Sequence, residues 1–63
     1  MKFKVLRERM REMGYTDTRL CRELGISRST FYRRINGVSE FTLHEIRLAM
    51  ELLDIQDPRG IFF

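Results

Sequence analysis

Residues 17–36 read DTRLCRELGISRSTFYRRIN, and the placement of glycine, serine and apolar groups in this stretch decides the fold. Leu24 follows Leu20 by four residues and Cys21 by three, so the three share one face of a short helix. Thr16 stands where an N-cap belongs. Gly25 falls where that helix must end in a left-handed conformation, Ile26 returns an apolar side chain to the core, and Ser27 caps a second helix. In the second helix Phe31 and Ile35 form the inward stripe, which leaves Arg28, Ser29, Tyr32 and Arg33 facing elsewhere. Asn36 and Gly37 end it, since both residue types tolerate positive φ. The stretch is thus two helices hinged at a tight turn, and the second carries more hydrogen-bond donors than solubility requires.

The flanking segments supply a scaffold of the same kind. Residues 1–13 place Phe3, Leu6, Met10 and Met13 at steps of three and four, an amphipathic helix closed by Gly14. After a loop at residues 38–41, Thr42 and Glu45 match the capping box, with Phe41 and Ile46 placed for the hydrophobic staple. A helix over residues 43–53 is predicted, with Ile46, Ala49, Met50 and Leu53 inward. Asp57 and Pro58 open one more short turn, because proline suits the first helical position. No segment shows the period-two alternation of a strand, so the expected class is all-α, as one domain over residues 1–63.

Size and charge narrow the function. A 63-residue chain has room for one small core, and such a core supplies little stability without staples or a partner chain, so a homodimer is expected, at least on its ligand. Residues 1–15 and 16–37 each carry five basic and two acidic groups, whereas residues 38–63 carry two basic and five acidic. Ten of the twelve cations are arginine, whose planar fork suits phosphate and guanine, so a polyanion is the natural partner. One cysteine makes no internal disulfide, and Cys21 with His44 falls short of a zinc site; reducing, cytoplasmic conditions are expected, with no metal and no cofactor. The longest apolar runs are pairs and triplets, so no membrane segment is expected. One histidine, no glycine-rich phosphate loop and no nucleophile with a base argue against an enzyme.

Leu20, Cys21, Leu24, Gly25, Ile26, Ser27, Phe31, Asn36 and Gly37 together resemble the helix-turn-helix of λ repressor and Cro-like (XRE-type) regulators of phages and prophages. The likeness extends to the opening helix, to GYT at residues 14–16 and to FTLHEIRLAMELL at residues 41–53. It implies a compact four- to five-helix λ-repressor-like domain with its motif at residues 17–36. It also implies a sequence-specific regulator of transcription, a Cro-like repressor that occludes an operator on double-stranded DNA. The recognition helix would be residues 28–36, with Arg28, Ser29, Tyr32 and Arg33 facing base edges. Thr16, Asp17, Arg34, Asn36 and Ser39 would lie near phosphates. Base chemistry agrees with the first set, since arginine binds guanine O6 and N7 bidentately and a tyrosine ring packs on a thymine methyl. Two positions depart from the family pattern. Glutamine is common where Asp17 stands, and a carboxylate repels phosphate, so a contact there uses the backbone N–H at the positive end of the helix. An apolar residue is common where Arg34 stands, which leaves Arg34 as a phosphate contact or a surface salt bridge.

Other groups read as structural. Arg9, Arg11 and Arg47 are expected on a solvated face, Cys21 as a small core residue, His44 as surface polar, and Met10, Met13 and Met50 as core filling. Ile61 and one of Phe62 and Phe63 are expected to fold back onto the first helix near Phe3. No small-molecule effector is expected. The main alternative is a helical protein-interaction module, antitoxin- or antirepressor-like, without specific DNA binding. Single-stranded RNA is disfavoured because only Tyr32 is offered to solvent for stacking.

Overall fold

The computed structural model describes residues 2–63. Four helices follow one another, α1 Phe3–Glu12, α2 Asp17–Leu24, α3 Arg28–Ile35 and α4 Leu43–Leu52, and a 3₁₀ turn, Pro58–Gly60, completes the chain. The described residues contain no strand, and none of their helices is long and apolar enough to cross a membrane.

Side-chain caps set the helix starts. Thr16 Oγ1 accepts from the Arg19 N–H at 3.1 Å, and Ser27 Oγ accepts from the Thr30 N–H at 3.1 Å. Thr42 and Glu45 form the full capping box, at 3.1 and 2.9 Å. Each cap is worth about 1 kcal/mol by satisfying a donor that the helix cannot. The helix ends use reversed bonds. Gly25 adopts φ 75°, and the Gly25 and Ile26 N–H groups donate to Arg22 O and Cys21 O at 3.2 and 3.0 Å. After α4 the same left-handed position is filled by Asp54, at φ 51°, a conformation that costs a non-glycine residue about 1–2 kcal/mol.

Phe31 is fully buried at the centre of the core, surrounded by Leu6 and Met10 of α1, Leu20, Cys21 and Leu24 of α2, Ala49 of α4, and Leu53 and Ile61. Two of the expected core methionines differ: Met13 is 38% exposed and Met50 only half-buried. Met13 lies beyond the last turn of α1, where the chain is already leaving the core towards Gly14.

Arg9 also departs from expectation. Instead of lying on a solvated face, it reaches across to the end of α4, where its Nε donates to Leu53 O at 2.6 Å and its Nη2 to Asp54 O at 3.0 Å. A cation on orphan carbonyls at a helix C-terminus is favoured by both hydrogen bonding and the helix dipole. It also holds the strained Asp54 turn in place.

The C-terminal residues do fold back. Ile61 is buried, and its carbonyl accepts from the Lys2 N–H at 2.7 Å, beside Phe3. Phe62 meets Phe41 edge-on with centroids 5.6 Å apart, and Phe41 meets Phe31 at 6.4 Å. Phe63 remains 70% exposed.

Candidate nucleic-acid interface

The turn at Gly25, Ile26 and Ser27 places α3 against the core through Phe31, with Ile35 half-buried beside it. A helix turns about 100° per residue, so Arg28 and Tyr32 share one edge of α3 and Ser29 and Arg33 the next. Arg28, Ser29 and Arg33 are exposed, whereas Tyr32 is half-buried and packs on the core, its ring 5.8 Å from that of Phe31. Tyr32 is therefore less available for stacking than the sequence implies. Its ring continues the Phe31 surface rather than standing free of it.

Polar bonds join this edge to the two preceding helices. Arg28 Nη2 donates to the Tyr32 hydroxyl at 2.8 Å, and that hydroxyl donates to Asp17 Oδ2 at 3.3 Å. Arg7 Nη1 lies 3.0 Å from the other carboxylate oxygen, Asp17 Oδ1. The chain of contacts runs from α3 through the first turn of α2 to α1. Its charges sum to one positive, because one carboxylate faces two guanidinium groups. The Asp17 carboxylate is thus held within the protein unevenly: Oδ2 accepts from the Tyr32 hydroxyl, whereas the buried Oδ1 faces the Arg7 charge but, among the described residues, accepts no hydrogen bond.

Thr16, Asp17 and Arg28 meet Arg7, Arg11 and Thr18 around an open cleft of about 390 Å³. Its walls are the α1 edge and the N-terminal ends of α2 and α3, where unpaired N–H groups point outward and favour anions. Arg7 and Thr18 were not singled out in the sequence, and Arg11 was expected only on a solvated face, where it is exposed but also lines this cleft. The available signal was the four-residue spacing of Arg7 and Arg11 on α1, flanking the inward Met10. Asn36 is exposed just after α3.

Arg34 and Ser39 belong to a different cluster. Arg34 Nε and Nη2 each donate to a Glu45 carboxylate oxygen at 3.0 Å, and Nη1 donates to Ser39 Oγ at 3.1 Å. The side chains of Arg34 and Glu45 are only 18% and 8% exposed. Of the two roles left open for Arg34, the structure forms the ion pair, sunk between α3 and α4 rather than at the surface. Arg34 follows the buried Phe31 by three residues, which turns it towards α4. Burial pushes the Glu45 carboxyl up, but the hydrogen bonds from Arg34 and from the Thr42 N–H, with the Arg34 charge, outweigh it and hold the pKa below the ordinary glutamate value.

Burial pushes the Cys21 thiol up, towards the unreactive neutral form expected of a core cysteine. Among the described residues no group of three or more His, Cys, Asp or Glu side chains is placed to hold a metal ion.

Compared with known proteins, residues 5–58 match the family model of the Cro/C1-type HTH DNA-binding domain. No match was found among curated proteins or among solved structures.

Proposed function

The chain belongs to the Cro/C1-type helix-turn-helix DNA-binding domain family, and on that premise we propose that it is a Cro-like repressor that silences transcription by occluding an operator. The DNA-binding role comes with the family; the mode of action, a phage or prophage origin and the residues in contact are our own extension of it. We treat residues 1–63 as one domain with its motif at residues 17–36. Helix α3 lies in the major groove, with Arg28, Ser29 and Arg33 towards base edges and Tyr32 at their border. Thr16, the backbone N–H of Asp17, and Asn36 face phosphates. Arg34 and Ser39 we now assign to holding α3 against α4 rather than to the DNA.

The observation that carries this reading is the division of α3 itself. Phe31 is fully buried on one side while Arg28, Ser29 and Arg33 are exposed on the other. A single helix of this length reads about four or five base pairs, so we infer a homodimer on two half-sites about 34–36 Å apart. Selection of bound sequences from a random duplex pool at moderate salt tests it. An enriched palindromic site is expected. No enrichment, together with affinity that barely changes with salt, favours the protein-interaction alternative, because a DNA binder with several phosphate contacts loses affinity steeply as salt rises.

A further inference from the structure

We propose that Asp17 and Tyr32 are positioning residues for Arg28, fixing its guanidinium before DNA arrives so that a single base position is read. This rests on the proposed placement of α3 in the major groove.

Three observations carry it. First, Arg28 is exposed, and among the described residues the one side-chain hydrogen bond it makes is to the Tyr32 hydroxyl, at 2.8 Å. Its guanidinium carbon also lies 5.6 Å from the centroid of the Tyr32 ring. Second, Tyr32 is itself held. Its ring packs on the core beside Phe31, and its hydroxyl hydrogen is directed at Asp17 Oδ2. With one lone pair taken by Arg28 and the proton given to Asp17, the hydroxyl has little left for a base. Third, Asp17 is an anion in the cleft that is proposed to face phosphates, where it weakens general attraction to DNA. Arg7 Nη1, 3.0 Å from Oδ1, offsets that charge without a hydrogen bond to it, and the carboxylate, with its side chain 13% exposed, is fixed by burial and by the bond from Tyr32. An acidic group placed there has no affinity rationale, but it does have a geometric one: it orients the tyrosine that orients the arginine.

An arginine has five N–H donors, and the bond to Tyr32 uses one of them. The remaining donors on the outer edge can still meet guanine O6 and N7 together. Immobilising a long side chain costs affinity when it happens at binding, and an arginine already anchored in the free protein avoids most of that cost. Tyr32 is then a bracket and not a reader.

The test uses the full chain and the best duplex recovered from the random pool, together with duplexes changed one base pair at a time. Arg28→Ala identifies the base position that Arg28 reads, where a good contact is worth about 5- to 150-fold in preference. Tyr32→Phe is expected to lower preference at that same position by about 5- to 10-fold, leaving other positions unchanged. Asp17→Ala is expected to lower it too while raising affinity for non-specific duplex, because a negative charge has been removed from the DNA side. A merely structural defect would lower both together.

If Tyr32→Phe changes preference at a different position, Tyr32 reads DNA directly and the positioning role is overturned. Unchanged preference in both variants overturns it as well. An Arg28→Ala variant that loses affinity equally on all sequences removes Arg28 from base readout, and the failure then lies in the placement of α3. Should Tyr32→Phe melt out at the assay temperature, Asp17→Ala alone decides, by the opposite movements of preference and non-specific affinity.

Discussion

Replacing Arg34 with alanine separates the structural role of this side chain from a contact with DNA. The guanidinium makes two 3.0 Å bonds to Glu45 and one 3.1 Å bond to Ser39, in a site where Glu45 is almost wholly buried. Removing one partner from a fully buried pair costs roughly 3–5 kcal/mol, because the other charge is left desolvated. Arg34 retains some exposure, so water screens part of that penalty and about 2–3 kcal/mol is expected here. A domain of 63 residues has roughly 3–9 kcal/mol to lose. With an unfolding entropy of about 2.1 cal/mol/K per residue, the melting temperature falls by roughly 15–23 °C.

The pH dependence of that loss is diagnostic. In the native protein the Glu45 pKa is depressed, so its contribution is present above the ordinary glutamate value near 4.3 and is lost as pH falls through the folded value. In the variant Glu45 keeps its burial without the guanidinium, its pKa rises, and protonation relieves the unpaired charge. The gap in melting temperature between native protein and Arg34→Ala, followed by circular dichroism, therefore narrows from pH 7 towards pH 3. Losing one phosphate contact would reduce the slope of log affinity against log salt by about 0.9, whereas a structural arginine leaves the slope of the still-folded variant unchanged. A variant that melts within a few degrees of the native protein at pH 7, with a shallower salt slope, would falsify the structural assignment.

Arg28→Ala is expected to lose about 1–3 kcal/mol on the best duplex and to relax preference at one base position, read by titration against single-base variants. Arg9→Ala leaves Leu53 O and Asp54 O without their side-chain donor and should cost about 1–2 kcal/mol in urea unfolding; an unchanged midpoint would return Arg9 to the solvated surface. Ile61→Ala should cost about 2–4 kcal/mol because it empties a buried site. Removing the exposed Phe63 should leave the thermal melt within a few degrees, and a large drop would mean that its ring packs.

The local grammar of the chain was legible without coordinates because it depends on neighbours within one helical turn. Thr16, Ser27 and Thr42 cap as expected, each serving an N–H three residues on. Gly25 ends α2 in the left-handed conformation that only a residue without a side chain adopts cheaply. The inward faces of α2 and α3 followed from the 3.6-residue period, and the arginine-rich outer edge of α3 followed as their complement. What tertiary structure decided was which charged groups meet. Arg9 with the end of α4, Arg34 with Glu45, and Asp17 with Arg7 and Tyr32 are pairs between different helices, 44, 11, 10 and 15 residues apart. Composition and periodicity say that such residues are polar, not which partner the packing of helices brings within 3 Å. Hence the sequence by itself determined the helices, their caps and the exposed arginines. The packing decided that Arg34 holds two helices together and that Arg28 hangs from Tyr32 and Asp17, because an ion pair forms only where a fold has already placed its two ends.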